Sequence, residues 1–410
     1  PRVLGGVSPD QRVLLLELVL DVRGGQRLAA PVVHDLDAAP LAHHEGLDQR
    51  FLHRGRPVAR LREVGVPDIG VGEVGAGHVG ILEYGEAQRR TGQLRADQSG
   101  AGKIGILGGG QLGRMLAMAA AKLGYMVHIF DPDAGAPATQ VANLHVMASF
   151  SDDSALQTFA MECAVVTYEF ENVPVEAARS IETLAPVRPG AKALEAAQDR
   201  LVEKTFLNKA GIPTAPFQPV NSDAEIVDAM AKFGGSGVLK TRRMGYDGKG
   251  QRVFRNASVE ECGGAYAALG SVPLILEGFI PFEREVSVIA ARGIDGSFAA
   301  YDVAENVHRN GILHTSTVPA ATTAETADAA KDAAQRILDA LDYVGVIGIE
   351  FFVMDNGDLI ANEMAPRVHN SGHWTEAACA VSQFEQHIRA IAGLPLGNPR
   401  RHSDCVMENL

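Results

Sequence analysis

"IEFFVMDNGDLIANE", residues 349–363, sets two apolar strand-like runs around "DNGD", with a glutamate near each outer end. Asn356-Gly357 is a strong hairpin signal, because a type I′ turn needs positive φ at both central residues. Placing that pair in the turn fixes the register. Asp355 faces Asp358, Val353 faces Ile360, Phe351 faces Asn362 and Glu350 faces Glu363. Directly opposed residues have Cβ atoms about 4.5–5.5 Å apart, and like charges placed so repel. A divalent cation removes the repulsion. Mg²⁺, or Mn²⁺ on the same donors, takes one or two carboxylates with substrate phosphate oxygens, and Asn362 adds an amide oxygen beside them. The competing reading is two rim glutamates splayed into water, or one protonated partner.

The flanking sequence decides between these. Upstream, "GVLKTRRMGYDGKGQRVF" (237–254) reads strand, loop, strand, with Lys240 closing the apolar run. Gly245, Gly248 and Gly250 free backbone N–H groups to cradle phosphate, and Lys249 sits between the last two. The pattern is not a Walker A loop, which needs GxxxxGK[ST] and a following helix. An ordinary hairpin with a glycine-rich tip is the alternative. "VPLILEGFI" (272–280) is a buried strand running into Glu277, and "EREVSVIAARG" (283–293) alternates strictly. "LEAAQDRLVEKTFLNKAGIPTAPF" (194–217) predicts one helix ended by Gly211 and Pro213. "ETADAAKDAAQRILDALDYVG" (325–345) predicts a core helix with Ala330, Ala334, Ile337, Leu338 and Leu341 on one face. Downstream, "APRVHNSGHW" (365–374) clusters Arg367, His369, Asn370 and His373 beside the proposed cation. Arg forks a planar oxyanion, and histidines orient substrate or move protons. Ser371 and Trp374 read as packing and capping residues.

An earlier segment, "KIGILGGGQLGRMLAMAAAKLGYMVHIFDPD" (103–133), reads strand, glycine turn, helix, strand. Gly108, Gly110 and Gly113 match GxGxxG, and Asp131 ends the second strand, as in a dinucleotide fold. The same turn serves α/β domains that bind no dinucleotide. "AVVTYEFENV" (164–173) reads as a later strand of that sheet, ending in Glu169, Glu171 and Asn172 at the carboxyl edge or in a solvated acidic loop.

The chain of 410 residues is 46% apolar and 21% charged, with net charge −13, which argues against a nucleic-acid binder. "VLLLELVL" (13–20) is too short to span a membrane. Four scattered cysteines suit neither a disulfide scaffold nor CxxC chemistry and point to a reducing cytoplasm. Residues 1–100 contain no Lys, Asn, Met, Cys or Trp and carry twelve Arg. We read them as an extension of foreign composition that is not part of the working enzyme; a small extra domain is the other reading.

"GGGQLGRML" (108–116), "TYEFENV" (167–173), "GYDGKGQ" (245–251), "IEFFV" with "ANEMAPRVHNSGHW" (361–374) and "SQFEQHIRAI" (382–391) closely resemble the N5-carboxyaminoimidazole ribonucleotide synthetases, an ATP-grasp family of purine biosynthesis. The resemblance covers about residues 103–410. It implies a mixed α/β and α+β fold: a Rossmann-like pre-ATP-grasp domain (103–195), an ATP-grasp domain (196–390) with a lid at about 212–280, and the start of a C-terminal domain (391–410). It implies that ATP and bicarbonate form carboxyphosphate, which carboxylates 5-aminoimidazole ribonucleotide directly or through CO₂. It places ATP on Arg200, Lys240, the loop Gly245, Tyr246, Asp247, Gly248, Lys249, Gly250 and Gln251, then on Glu277, Gly278, Phe279, Ile280, Glu285, His308, Asn362 and Glu363. Glu277 to Ile280 would meet adenine, and Glu285 the ribose. Magnesium would sit on Glu350 and Glu363, and bicarbonate on Arg367. Gln111, Leu112, Glu171, Tyr246, Asp247, Lys249, Arg367, His369 and Asn370 would face the ribonucleotide. Arg367, His369, Glu350 and Glu363 would be the catalytic set, in a cytoplasmic homodimer.

Two departures stand out. Met244 occupies a position where the family often has glycine. The family also continues past "MENL" into a small domain whose basic residues hold substrate phosphate, so ATP binding with poor turnover is expected of these 410 residues. The readings left open are an ATP-grasp ligase with another acceptor, a nucleotide-dependent oxidoreductase built on the glycine turn, and a nucleotide-binding module without turnover.

Overall fold

The computed structural model describes residues 14–18, 102–245 and 249–409. Apart from the strand β1 (Leu14–Leu18), the foreign-composition reading of residues 1–100 lies outside the described residues, as do Tyr246, Asp247 and Gly248.

Short apolar runs alternate with helices in β2 (Lys103–Leu107), α1 (Gln111–Lys122), β3 (Met126–Phe130), β4 (Leu144–Val146), α2 (Asp153–Met161), β5 (Val165–Tyr168) and α3 (Val175–Glu182). The strands form a parallel sheet in the order β4-β3-β2-β5. Parallel strands are covered on both faces, which is why they read as continuous apolar runs.

The helix predicted from residue 194 is two helices, α4 (Ala191–Ala197) and α5 (Arg200–Lys209). Asp199 breaks it: with extended backbone, its carboxylate accepts from Leu201 N–H at 3.0 Å and caps α5. Next come β6 (Phe217–Val220), α6 (Asp223–Lys232), β7 (Gly237–Thr241), β8 (Gln251–Phe254) and, after two single-turn helices, β9 (Leu274–Gly278). They build an antiparallel sheet, β6-β9-β7-β8, with its own core of Val220, Ile226, Met230, Leu239, Leu274 and Leu276.

The largest sheet holds β10 (Arg284–Arg292), β11 (Phe298–Ala300), β12 (Ala304–Arg309), β13 (Ile312–Val318), β14 (Gly345–Val353) and β15 (Leu359–Ala365). β16 (Cys405–Asn409), the run at the end of the chain, adds beside β13, and β1 pairs in parallel with it. The helices α7 (Ala324–Leu341) and α8 (Gln383–Ala392) cover β10. Its strict alternation divides two cores. Val286, Val288 and Ala290 pack with Ile337 and Leu338 of α7, whereas Ile289 and Ala291 pack with Ile388 and Ile391 of α8. The alternation therefore marks two buried faces, not one buried and one wet.

The hairpin forms, with a different turn. Gly357 N–H donates to the Met354 carbonyl at 2.9 Å, and Gly357 alone of the central pair has positive φ, at 86°. This three-residue loop with a left-handed glycine shifts the register by one, so Val353 pairs Leu359 and Phe351 pairs Ala361. A bulge then restores the expected pairing of Glu350 with Glu363. The extra residue is Asn362.

Candidate active site

A bulge sets two residues of one strand against one of its neighbour and re-aims them. Here it brings Asn362 and Glu363 against Glu350, and the Asn362 side chain hydrogen-bonds the Glu350 carboxyl. Burial, then Glu363, pushes the Glu350 carboxyl well above the usual range, with His308 pulling the other way. On neighbouring strands, His308 Nδ1 lies 2.6 Å from Glu285 Oε2. Burial lowers the His308 pKa, but the Glu285 bond and the charges of Glu350, Glu285 and Glu363 raise it further.

Arg367 follows β15. Its Nε donates to Glu171 Oε2 and its Nη1 to the Val368 carbonyl. Burial raises the Glu171 pKa, yet Arg367 brings it below the usual range overall. His369 Nε2 stands 3.8 Å from Glu350 Oε1. Burial and Arg367 push its pKa down to about 3, so the ring is neutral. His373 does not face this group. It lies in the core, its Nδ1 3.2 Å from the His369 carbonyl and its ring edge-on to Phe384, which corrects its expected place in the cluster. Asn370 is exposed; Ser371 and Trp374 are buried, as packing residues should be.

The other end is cationic. Glu277 Oε2 receives Lys240 at 3.1 Å and Lys204 at 3.2 Å, and the two lysines bring its pKa down against the effect of burial. Glu277 Oε1 is buried with no partner. Lys204 Nζ also donates to the Asn362 carbonyl at 3.1 Å, joining this end to the glutamate pair. Arg200 holds the start of the glycine loop, bonding the Thr241 carbonyl at 3.2 Å and the Gly245 carbonyl at 2.9 Å. Gly250 has φ 70°, and a Cβ there would lie 2.7 Å from Thr241 Oγ1. Met244 adopts φ 62°, a conformation that suits the glycine expected there. Lys249 and Gln251 are exposed, Gly278 ends β9 with its N–H on the Pro216 carbonyl, and Ile280 lies just beyond it. The Arg255 guanidinium lies 4.1 Å over the Phe279 ring.

The glycine turn of the first sheet is already filled. Glu169 accepts from Gly110 N–H and from Gly113 N–H, the latter at 2.6 Å, at the start of α1. Asp131 accepts from Gly109 N–H at 2.7 Å. A helix N-terminus favours an anion, and here the chain supplies the carboxylate itself. A pyrophosphate finds those N–H groups taken, which removes the basis of the oxidoreductase reading. Gln111, exposed, and Leu112, partly buried, lie in the same first turn.

The sequence reading missed Lys204, Glu203, Ser287, Gly348 and Gln383. Gln383 is the second residue of the quoted "SQFEQHIRAI", so a signal existed; the others lie in helix or strand text that reads as ordinary. Among the described residues no group of three or more His, Cys, Asp or Glu stands ready to hold a metal, and no helix is long and apolar enough to cross a membrane.

The pattern of the ribonucleotide synthetase preATP-grasp domain matches residues 101–198, and that of the ATP-grasp domain residues 205–384. The chain is 60% identical over 307 residues to the N5-carboxyaminoimidazole ribonucleotide synthase of Brucella melitensis biotype 1, covering 75% of this chain and 85% of that protein. A crystal structure of N5-carboxyaminoimidazole ribonucleotide synthetase from Thermus thermophilus is 50% identical with TM-score 0.70, covering 75% of this chain and 83% of that one. The Aspergillus clavatus enzyme, solved with ADP and the aminoimidazole ribonucleotide, is 32% identical with TM-score 0.70 over 75% and 81% of the two chains. The chain belongs to the N5-carboxyaminoimidazole ribonucleotide synthase family of ATP-grasp ligases.

Proposed function

We propose that this ligase uses ATP to phosphorylate bicarbonate and transfers the carboxyl group to the amine of 5-aminoimidazole ribonucleotide. In the first step the γ-phosphoryl group passes to a bicarbonate oxygen, giving carboxyphosphate and ADP. In the second, the amine nitrogen bonds the carboxyl carbon, directly or after CO₂ is released, and phosphate and a proton leave.

The observation that carries this reading is the opposed pair Glu350 and Glu363 with Asn362 folded in beside them. Two carboxylates and an amide oxygen fit magnesium, which keeps phosphate oxygens and water as its other ligands. When bound it neutralises charge on the transferring phosphoryl group. Manganese fits the same donors.

The other residues divide the remaining work. The unpartnered Glu277 Oε1 suits a donor such as the adenine amino group. Lys240 and the 245–251 loop suit the phosphates, with Arg200 fixing the loop and Glu285 and His308 near the ribose. Arg367 offers its fork to bicarbonate, with His369 beside it. Glu171, with Gln111, Leu112, Asn370 and the loop residues, would meet the ribonucleotide. The four cysteines, buried and free, suit the cytoplasm. A homodimer rests on the family resemblance.

The test is ADP release with MgATP and bicarbonate, with and without the ribonucleotide, in wild type and Glu363→Gln. Stimulation by the ribonucleotide that disappears in the variant is expected. Hydrolysis indifferent to the ribonucleotide would overturn the assignment.

A further inference from the structure

His369 is held on both its backbone and its ring. Its N–H donates to Gln383 Oε1 at 2.9 Å, and its carbonyl accepts from Gln383 Nε2 at 2.8 Å. Gln383 is fully buried at the start of α8. Two glycines make room. A Cβ on Gly348 would fall 2.5 Å from His369 Cβ, and one on Gly372 would fall 2.5 Å from Gln383 Oε1. Neither close approach tolerates a larger residue.

The ring is set by two buried hydroxyls. Ser287 Oγ, on β10 opposite Glu350, donates to Ser371 Oγ at 2.7 Å. A Ser371 hydroxyl that accepts from Ser287 is free to give its own proton to His369 Nδ1, 2.8 Å away. It is the Ser371 backbone N–H, a donor only and 3.3 Å away, that makes Nδ1 the acceptor. A ring nitrogen that accepts carries no proton, so in neutral imidazole the proton sits on the other one. The other one is Nε2, on the side of Glu350.

We propose that Ser287, Ser371 and Gln383 are positioning residues that lock His369 in the Nε2–H tautomer, so that it serves the reaction as a fixed donor to an oxyanion beside Glu350 and not as acceptor of the amine proton. The identity of that oxyanion, bicarbonate or carboxyphosphate, rests on the ligase reading. The tautomer does not. Packing alone would explain why Ser371 is buried, but it gives no reason for a donor chain that ends on one nitrogen of one ring.

The test uses the full chain with its histidine nitrogens isotopically labelled, read by long-range proton–nitrogen correlation at neutral pH. The signals lost in His369→Gln identify the ring. Protonated Nε2 with bare Nδ1 is expected, and an Nδ1–H or mixed pattern in the wild type overturns the proposal. Ser371→Ala leaves Nδ1 only the longer backbone bond. A second tautomer should then appear, with kcat lower by roughly 10–100-fold, as for other residues that orient a reacting group, and KM for ATP unchanged. Ser287→Ala, a smaller disturbance, should move both readouts the same way by less. An unaltered tautomer and kcat in both variants overturns the positioning role. The expected tautomer in a wild type that releases no ADP in response to the ribonucleotide would instead count against the ligase reading and leave the positioning intact.

Discussion

Lys204 carries a charge with almost no water around it. Its side chain is 1% exposed, while Lys240, which reaches the same Glu277 oxygen from the open side, is 16% exposed. A buried ion pair adds little over an apolar pair of the same shape, but removing one partner strands the other. Lys204 also satisfies the Asn362 carbonyl. Lys204→Met should therefore cost roughly 3 kcal/mol of stability, seen as a lower urea midpoint. Lys240→Met should cost less, because water can partly replace its ammonium. Equal losses would refute the ranking. Nothing in "RLVEKTFLNK" foretells this role. Polar residues on a helix read as solvent-facing, and Glu203 and Lys204 are buried only because β15, distant in sequence, lies against α5. The opposed pair Glu350 and Glu363 was legible because both sit inside strongly patterned strands, where a charge is out of place, and Arg367 follows closely after the second.

At the scale of elements, the hairpin separates two kinds of information. Period-two alternation placed β14 and β15, but Asn-Gly could not say which turn joins them. A type I′ turn would need both residues left-handed; only Gly357 is. Gly357→Ala should cost about 1–2 kcal/mol, the penalty for an L-residue in that region, with its Cβ 3.1 Å from Thr326 Oγ1 adding to it. Asn356→Ala gives up exposed side-chain bonds to Asp358 and should cost about 0.5 kcal/mol. Urea unfolding of the two variants checks this, and similar large losses in both would restore the type I′ turn. The bulge was invisible for the same reason. One unpaired residue leaves the alternation almost intact, yet it decides whether Asn362 joins the glutamates. The break between α4 and α5 was hidden too, because Asp199 lies among good helix formers and its capping role depends on backbone the sequence does not display.

Across the whole molecule, the site draws on both halves of the fold, and buried titratable groups hold them together. Glu171, after β5, pairs with Arg367, after β15. His387 on α8 receives Val346 N–H on Nδ1 at 3.1 Å and donates from Nε2 to Thr167 Oγ1 on β5 at 2.8 Å. The order of strands and helices was legible from apolar periodicity, and the family motifs marked most residues of the candidate site. These cross-links were not, since Glu171–Arg367 and Thr167–His387 join residues 196 and 220 positions apart. They impose a pH dependence. Burial pushes His387 and His369 down to about 3 and His373 to about 4. Such groups stabilise the fold above the unfolded histidine pKa of about 6.5 and lose that contribution as pH falls toward their folded values, because only the unfolded chain takes up the protons. Glu203, raised to about 8 by burial and Glu363, acts in the opposite sense. Its contribution is complete below the unfolded carboxylate pKa of about 4.3 and is lost as pH rises toward 8. Stability of the metal-free enzyme should therefore peak near pH 6.5, measured as the urea midpoint across pH. His387→Gln keeps an acceptor for Val346 and a donor for Thr167, and should flatten the acid limb by one proton, about 1.4 kcal/mol per pH unit. Glu203→Gln keeps an acceptor for Met364 N–H and should flatten the alkaline limb. A His387→Gln profile that parallels wild type below pH 6.5 would mean that the ring is protonated in the folded chain and does not make this pair of bonds.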